Sequence, residues 1–115
     1  MGEYLKGDSM KAFLLTIVCV LVLSWAGPAG ACDPESLTEL LNSNICPMCD
    51  LSGCSLARKD LRGARLWRAN LEGANLEGAR LEGAFLIGVN FKGANLSGAN
   101  LIGADLLNAD LSGAD

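Results

Sequence analysis

A period of five residues runs from residue 49 to residue 115, and it limits the folds open to this chain more than any other feature. An apolar side chain recurs at every fifth position without interruption. On an α-helix, five residues advance about 500°, so these side chains would spiral around the helix instead of forming one face. On a continuous strand they would alternate between the two faces of the sheet. The thirteen positions are Leu51, Leu56, Leu61, Leu66, Leu71, Leu76, Leu81, Leu86, Phe91, Leu96, Leu101, Leu106 and Leu111.

The period therefore predicts short extended pieces, each followed by a bend. Ten of the thirteen units have a glycine two positions after the apolar residue, where a bend needs backbone freedom. Asn or Asp often stands directly before the apolar residue, as Asn70 and Asp105 do. Such side chains form hydrogen bonds to nearby backbone in turns, so we expect them to stabilise the bends.

The units also share the order Ala, then Asn or Asp, then Leu, as at residues 69–71, 74–76, 94–96, 99–101 and 104–106. This pattern resembles the pentapeptide-repeat family over about 65 residues. The resemblance implies an all-β fold, a right-handed quadrilateral parallel β-helix of about three coils, in which four pentapeptides make one coil and residues twenty apart stack. That step predicts opposite-charge pairs between Glu72 and Lys92 and between Arg62 and Glu82. Departures from the pattern are Cys49, Cys54, Lys59, Val89, Arg65, Arg80 and Phe85.

The N-terminal segment is typical of a secretory signal peptide. Lys11 precedes an apolar run over residues 12–23, and Gly27-Pro28 and the small residues 29–31 follow it. We predict a signal peptide over residues 1–31, with Met10 as an alternative start. We predict an exported mature chain, located in a periplasm, an extracellular space or an organelle lumen. A lipoprotein with an acylated Cys32 is the alternative, and only then would the mature protein be attached to a membrane.

Residues 32–48 are predicted to form a helical cap and a cysteine-containing linker, before a solenoid over residues 49–115. Asp33-Pro34-Glu35 is a favourable helix start, so we expect a helix over residues 34–42. Its leucines at 37, 40 and 41 share one face, which we expect to cover the lower end of the first coil.

Four cysteines follow the predicted signal peptide, and they are candidates for disulfides because the chain is predicted to be exported. Three pairings are open, and we expect the disulfides to join the cap to the solenoid. A thiol–disulfide role for the Cys46-Pro47-Met48-Cys49 segment and a metal site formed by the cysteines are alternatives. The candidates are Cys32, Cys46, Cys49 and Cys54.

No enzymatic activity and no cofactor are predicted. The chain has no histidine, and its Asp, Glu and Lys residues show no arrangement of a nucleophile with a base. Lys59 occupies an inward position, and we expect its ammonium group to extend to water.

One outer face of the predicted coil carries large apolar side chains, whereas the equivalent positions of the other faces are mostly polar or small. Exposed apolar patches commonly mark partner surfaces, so we expect this face to bind a protein partner or a second copy of the chain. The predicted patch consists of Trp67, Phe85, Ile87, Ile102 and Leu107.

The sequence thus favours a noncatalytic exported scaffold. Some members of the family resemble duplex DNA and inhibit type II topoisomerases, which makes DNA mimicry an alternative. That function requires an acidic rod, but from residue 56 onward seven cations balance seven anions, within a chain whose net charge is −4. Nucleic acid is not a predicted partner.

Overall fold

The computed structural model describes residues 31–115, which form one α-helix followed by a coiled repeat. Helix α1 spans Pro34–Ser43. Asp33 is its N-cap, and its side chain accepts hydrogen bonds from the backbone amides of Glu35 and Ser36. The predicted helix is therefore confirmed, and it extends one residue further than expected. The predicted signal peptide lies outside the described residues, apart from residue 31.

Asn44 connects helix α1 to the coil. Its backbone adopts the left-handed conformation, with φ of 61°, and its amide donates to the carbonyl of Leu40 at 2.7 Å. Its own carbonyl accepts from the amide of Arg65 at 3.0 Å, and its side-chain amide donates to the carbonyl of Arg62 at 2.9 Å. Asn44 thus supplies two of the hydrogen bonds that a further coil would give to the lower edge of the solenoid.

The predicted apolar face of helix α1 is correct in part. Leu40 is buried, with 1% exposure, and Leu37 packs against the same core, so the helix covers the lower end of the solenoid. Leu41, which was expected on that face, is 46% exposed.

The coil repeats every twenty residues, as the family resemblance implied. Parallel backbone bridges join residues twenty apart, from Ile45 with Arg65 to Asn90 with Asp110. Each bridge is isolated because a bend follows within five residues, and no longer strand occurs among residues 31–115. We call each five-residue unit a side and four consecutive sides a coil. Residues 31–115 thus stack as expected of a β-helix, but they form no extended strand.

The leucines and the small residues of the repeat fill the interior of the coil. Leu71, Leu76 and Ala74 are 0% exposed, and so is Phe91, the one aromatic residue in the leucine column. Burial of a leucine contributes roughly 1.5 to 3 kcal/mol, so this column provides most of the stabilisation. Burial decreases in the last described coil, where Leu111 is 43% exposed.

All corners of the coil share one backbone conformation. The ten corner glycines have φ between 65° and 72°. Arg58, Arg68 and Asn108 stand where the other three units lack glycine, and they adopt φ of 59°, 58° and 59°. The coil therefore imposes the left-handed conformation, and glycine is the residue that adopts it at least cost.

The Asn and Asp residues before the leucines stabilise the corners as expected. The side-chain oxygen of Asn70 accepts from the amide of Glu72 at 3.1 Å, and the same contact recurs from side to side. Asn90 also donates from its side chain to the side-chain oxygen of Asn70 at 3.2 Å, which links two coils.

Neither of the two predicted charge pairs between coils forms an ion pair, although Asp60 and, to a lesser extent, Glu82 attract Arg62 and raise its pKa. Arg62 binds Asp60 at 2.7 Å and Arg80 binds Glu82 at 3.5 Å, so both ion pairs form within one side. The guanidinium of Arg62 reaches a carboxylate two residues earlier, whose oxygen already accepts the Arg62 amide. Glu72 accepts instead from the side chain of Asn90 at 3.3 Å.

Candidate functional site

An open groove with a volume of about 460 Å³ lies on one outer face of the coil. Its lining residues come from three stacked sides, residues 44–48, 64–68 and 84–88, because Met48 and Arg68, like Trp67 and Ile87, are twenty residues apart. Phe85 lies on the same outer face, two residues before Ile87. The lining residues, which define the apolar groove, are Met48, Trp67, Arg68, Phe85 and Ile87.

Large apolar side chains in this groove remain accessible to solvent. Met48 is 68% exposed, Phe85 is 45% exposed and Trp67 is 37% exposed. Aromatic residues and methionine are the side chains enriched at protein interfaces, since they bury much area for few rotatable bonds. The groove is thus suited to bind an apolar side chain of another polypeptide.

Arginines border the apolar groove. The guanidinium carbon of Arg65 lies 5.9 Å from the centre of the Phe85 ring, within the range of a cation–π contact. Arg68 is itself a lining residue, and it forms no ion pair within residues 31–115. The groove therefore combines an apolar surface with positive charge at its border.

The structure brings together three of the five residues of the predicted patch, namely Trp67, Phe85 and Ile87. Leu107, which is 63% exposed, lies in the coil above, where its carbonyl accepts from the amide of Gly88 at 2.8 Å. Ile102 is 75% exposed but does not line the groove, since it belongs to the preceding side.

Sequence reasoning missed Met48 and Arg68. Both occupy corner positions, with φ of 58°, and they are twenty residues apart, so they stack beside the column of Trp67 and Ile87. The spacing of twenty residues already places Met48 and Arg68 in one column. They were missed because we considered only the first outward position of each side and expected glycine at the corners.

The four cysteines form two pairs. The sulfur atoms of Cys32 and Cys54 are 1.97 Å apart, and those of Cys46 and Cys49 are 1.93 Å apart. Of the three pairings that the sequence left open, the structure has this one. The first pair brings the chain before helix α1 to disulfide distance from the second side of the coil. The second pair is local.

Within residues 31–115, all four cysteine sulfur atoms are paired at disulfide distance, so none of them is a free ligand for a metal. Ligand atoms of Glu39, Cys46 and Cys49 lie within 4.8 Å of one another, but the two sulfur atoms are bonded to each other and so cannot each donate to an ion. Cys32 and Cys54, which the metal hypothesis also required, are paired as well.

The two carboxylates whose pKa is lowered, those of Asp60 and Asp110, lie at the surface. The Arg62 side chain donates to Asp60 and lowers its pKa to about 2, and the Ser112 hydroxyl lowers the pKa of Asp110. A general base needs a pKa moved toward neutral pH, which is the opposite direction. Lys59 is exposed, as predicted for an ammonium group that extends to water.

Residues 31–115 include no helix with the length and hydropathy needed to cross a bilayer.

A family model described as pentapeptide repeats matches residues 49–86 and 86–115. A pentapeptide repeat protein from the thylakoid lumen of Arabidopsis thaliana is 27% identical, with a TM-score of 0.56, over 78% of this chain and 55% of that one. The chain thus spans about half the length of that protein. A pentapeptide repeat protein from Nostoc PCC 7120 is 31% identical over 76% of this chain and 78% of that one, with a TM-score of 0.44. The comparison with curated proteins returns no match.

Proposed function

Because the chain belongs to the pentapeptide-repeat family, we propose that it is a noncatalytic scaffold that binds a protein partner, or a second copy of itself, through the apolar groove. The observation that carries this proposal is the groove itself, in which Met48, Trp67 and Phe85 remain exposed beside the buried leucine column. Exposed apolar groups of this size in one place commonly mark a partner surface.

The outer columns of the other faces support this assignment. Residues twenty apart there are mostly polar, as in the column of Ser52, Glu72, Lys92 and Ser112. Burying an aromatic or long aliphatic side chain at an interface contributes roughly 1.5 to 3 kcal/mol, whereas an exposed ion pair contributes about 0 to 1. The groove therefore offers more binding energy than any polar column.

The test replaces Phe85 and Ile87, which both line the groove, together by serine. Ile102→Ser is the matched control, because Ile102 is equally apolar and more exposed but does not line the groove. We expect the double variant to lose partner capture by chemical cross-linking, or to change its mass in solution by light scattering, while the control behaves as the wild type. Unchanged partners and unchanged mass in the double variant would refute the proposal.

We infer in addition that the coil is a right-handed quadrilateral β-helix, as the family resemblance implies. Four corners in each twenty-residue step and parallel bridges at that spacing support the quadrilateral form. A crystal structure of the protein with a left-handed coil would contradict this inference.

Export from the cytosol is also part of the proposal. The apolar run at residues 12–23, which lies outside the described residues, and the pairing of all four later cysteines support it. A Cys32 sulfur bonded to Cys54 cannot also carry a thioether lipid, so the pairing favours cleavage over the lipoprotein alternative. The test is a mass map of the protein under nonreducing conditions. Retention of residues 1–31 together with free thiols would refute export with disulfides. The same map would show any lipid on Cys32.

A further inference from the structure

We propose that the Cys46–Cys49 disulfide is a site of thiol–disulfide exchange with dithiols, and that its redox state sets the position of Met48 at the apolar groove. Met48 lies between the two cysteines in sequence and lines the groove. Its amide donates to the carbonyl of Trp67 at 2.9 Å, so the segment closed by the disulfide directly contacts the groove.

The Cys46–Cys49 bond is expected to stabilise the fold less than the Cys32–Cys54 bond does. It joins residues three positions apart, whereas Cys32–Cys54 joins residues separated by 22 positions. A disulfide stabilises a fold mainly by restricting the unfolded chain, and this effect increases with the length of the closed loop. Both ends are also held by backbone bonds to the coil above, from Cys46 N to Arg65 O at 2.9 Å and from Asn70 N to Cys49 O at 2.8 Å. Opening this bond should therefore cost the fold less than opening the Cys32–Cys54 bond.

The two sulfur atoms differ in solvent exposure, and this difference decides which of them an incoming thiolate attacks. Cys49 is partly exposed, whereas Cys46 is fully buried and its sulfur lies 3.4 Å from the carbonyl oxygen of Ser36. An incoming thiolate reaches Cys49 more readily, and Cys46 is then the leaving group. Once Cys46 takes a proton from water, its thiol can donate a hydrogen bond to the nearby Ser36 carbonyl.

The exchange balances with a dithiol as the reductant. One thiolate of the dithiol attacks the Cys49 sulfur, forms a mixed disulfide and breaks the Cys46–Cys49 bond. Its second thiolate attacks the dithiol sulfur of that mixed disulfide, releases Cys49 and closes the reductant's own disulfide. Two electrons and two protons pass to the protein, which holds two thiols afterwards.

Glu39 should slow this exchange. Its carboxylate lies within 4.8 Å of both sulfur atoms, and the attack builds negative charge on sulfur. Because two negative charges at this separation repel one another, we expect Glu39→Gln to accelerate reduction by roughly 2- to 5-fold. Glu77→Gln, which changes an exposed carboxylate on another side, is the matched control.

Reduction should alter the groove through the backbone of Met48. This residue is held in the left-handed conformation, with φ of 58°, inside a ring of four residues. The coil alone holds Arg58 in the same conformation, with φ of 59°, so opening the ring removes a second restraint on Met48 and lets its side chain shift at the groove. The environment of Trp67 then changes, since both residues line the same groove.

The experiment uses the full chain with Trp25→Phe, so that Trp67 is its one tryptophan. The protein is titrated with dithiothreitol, thiols are mapped by alkylation and mass spectrometry, and Trp67 emission is recorded. We expect the emission to shift in step with alkylation of Cys46 and Cys49. The double variant C46S/C49S should show the shifted emission without reductant, whereas C32A/C54A should keep the response to dithiothreitol.

Two results would overturn the proposal. The first is Trp67 emission that stays constant while Cys46 and Cys49 become alkylated. The second is free thiols at both positions in protein exported and purified without reductant. If C46S/C49S fails to fold, the dithiothreitol titration of the wild type still decides, because reduction of Cys32 and Cys54 before Cys46 and Cys49 would contradict exchange at this site.

Discussion

Replacement of Gly73 by alanine tests the physical basis of the corners. Gly73 has φ of 67°, and a methyl group added there would meet no heavy atom within 4 Å. The cost is therefore conformational and free of steric clash. A residue other than glycine in the left-handed region costs about 1 to 2 kcal/mol, and alanine recovers part of this by restricting the unfolded chain. We expect a net loss of about 1 kcal/mol in the free energy of unfolding.

The assay is thermal and urea unfolding followed by circular dichroism. A loss of about 1 kcal/mol lowers Tm by about 4 to 8 °C in a domain of this size. Gly73→Asn should lose less than Gly73→Ala, because asparagine tolerates the left-handed region, and Glu77→Ala should stay within about 0.5 kcal/mol of the wild type. Equal stability of Gly73→Ala and the wild type, or a larger loss for Gly73→Asn than for Gly73→Ala, would refute the reasoning.

Three further predictions concern the core, the lower end of the coil and pH. Leu71→Ala, at a fully buried position, should lose about 2 to 5 kcal/mol in urea unfolding, whereas Leu111→Ala, at a position 43% exposed, should lose much less. Asn44→Gly should lose about 1 kcal/mol, because glycine adopts φ of 61° freely but does not donate to the Arg62 carbonyl, and no loss would contradict this role. The pKa of Asp60 is lowered from 3.8 to about 2, so its contribution to stability is present above about pH 4 and is lost as pH falls through 2. A pH titration of unfolding should therefore be flatter over this interval in Asp60→Asn.

Much of the fold was predictable because the repeat is local. The period of five fixes which side chains are inside, and Leu71 and Leu76 are buried as expected. The number of sides in a coil could not be predicted in this way, since the period of five alone does not determine it. The resemblance to the family supplied that number, and the bridges between residues twenty apart agree with it.

The candidate site was predictable only in part, since its remaining features depend on side-chain reach. Trp67 and Ile87 follow from the stacking step, but Met48 enters the groove because a residue other than glycine occupies a corner. The partner of Arg62 was also missed, because its long side chain can reach Asp60 on its own side as easily as a residue in the next coil. The pairing of four cysteines requires distances that no spacing provides.

The most direct test of the twenty-residue stack, on which the groove depends, is a set of NMR nuclear Overhauser contacts from the Trp67 indole. We predict contacts to the methyl groups of Ile87 and Met48, which line the same groove. Contacts from Trp67 to Glu82 or Lys92 instead, without any to Ile87, would show a different number of residues per coil and contradict it.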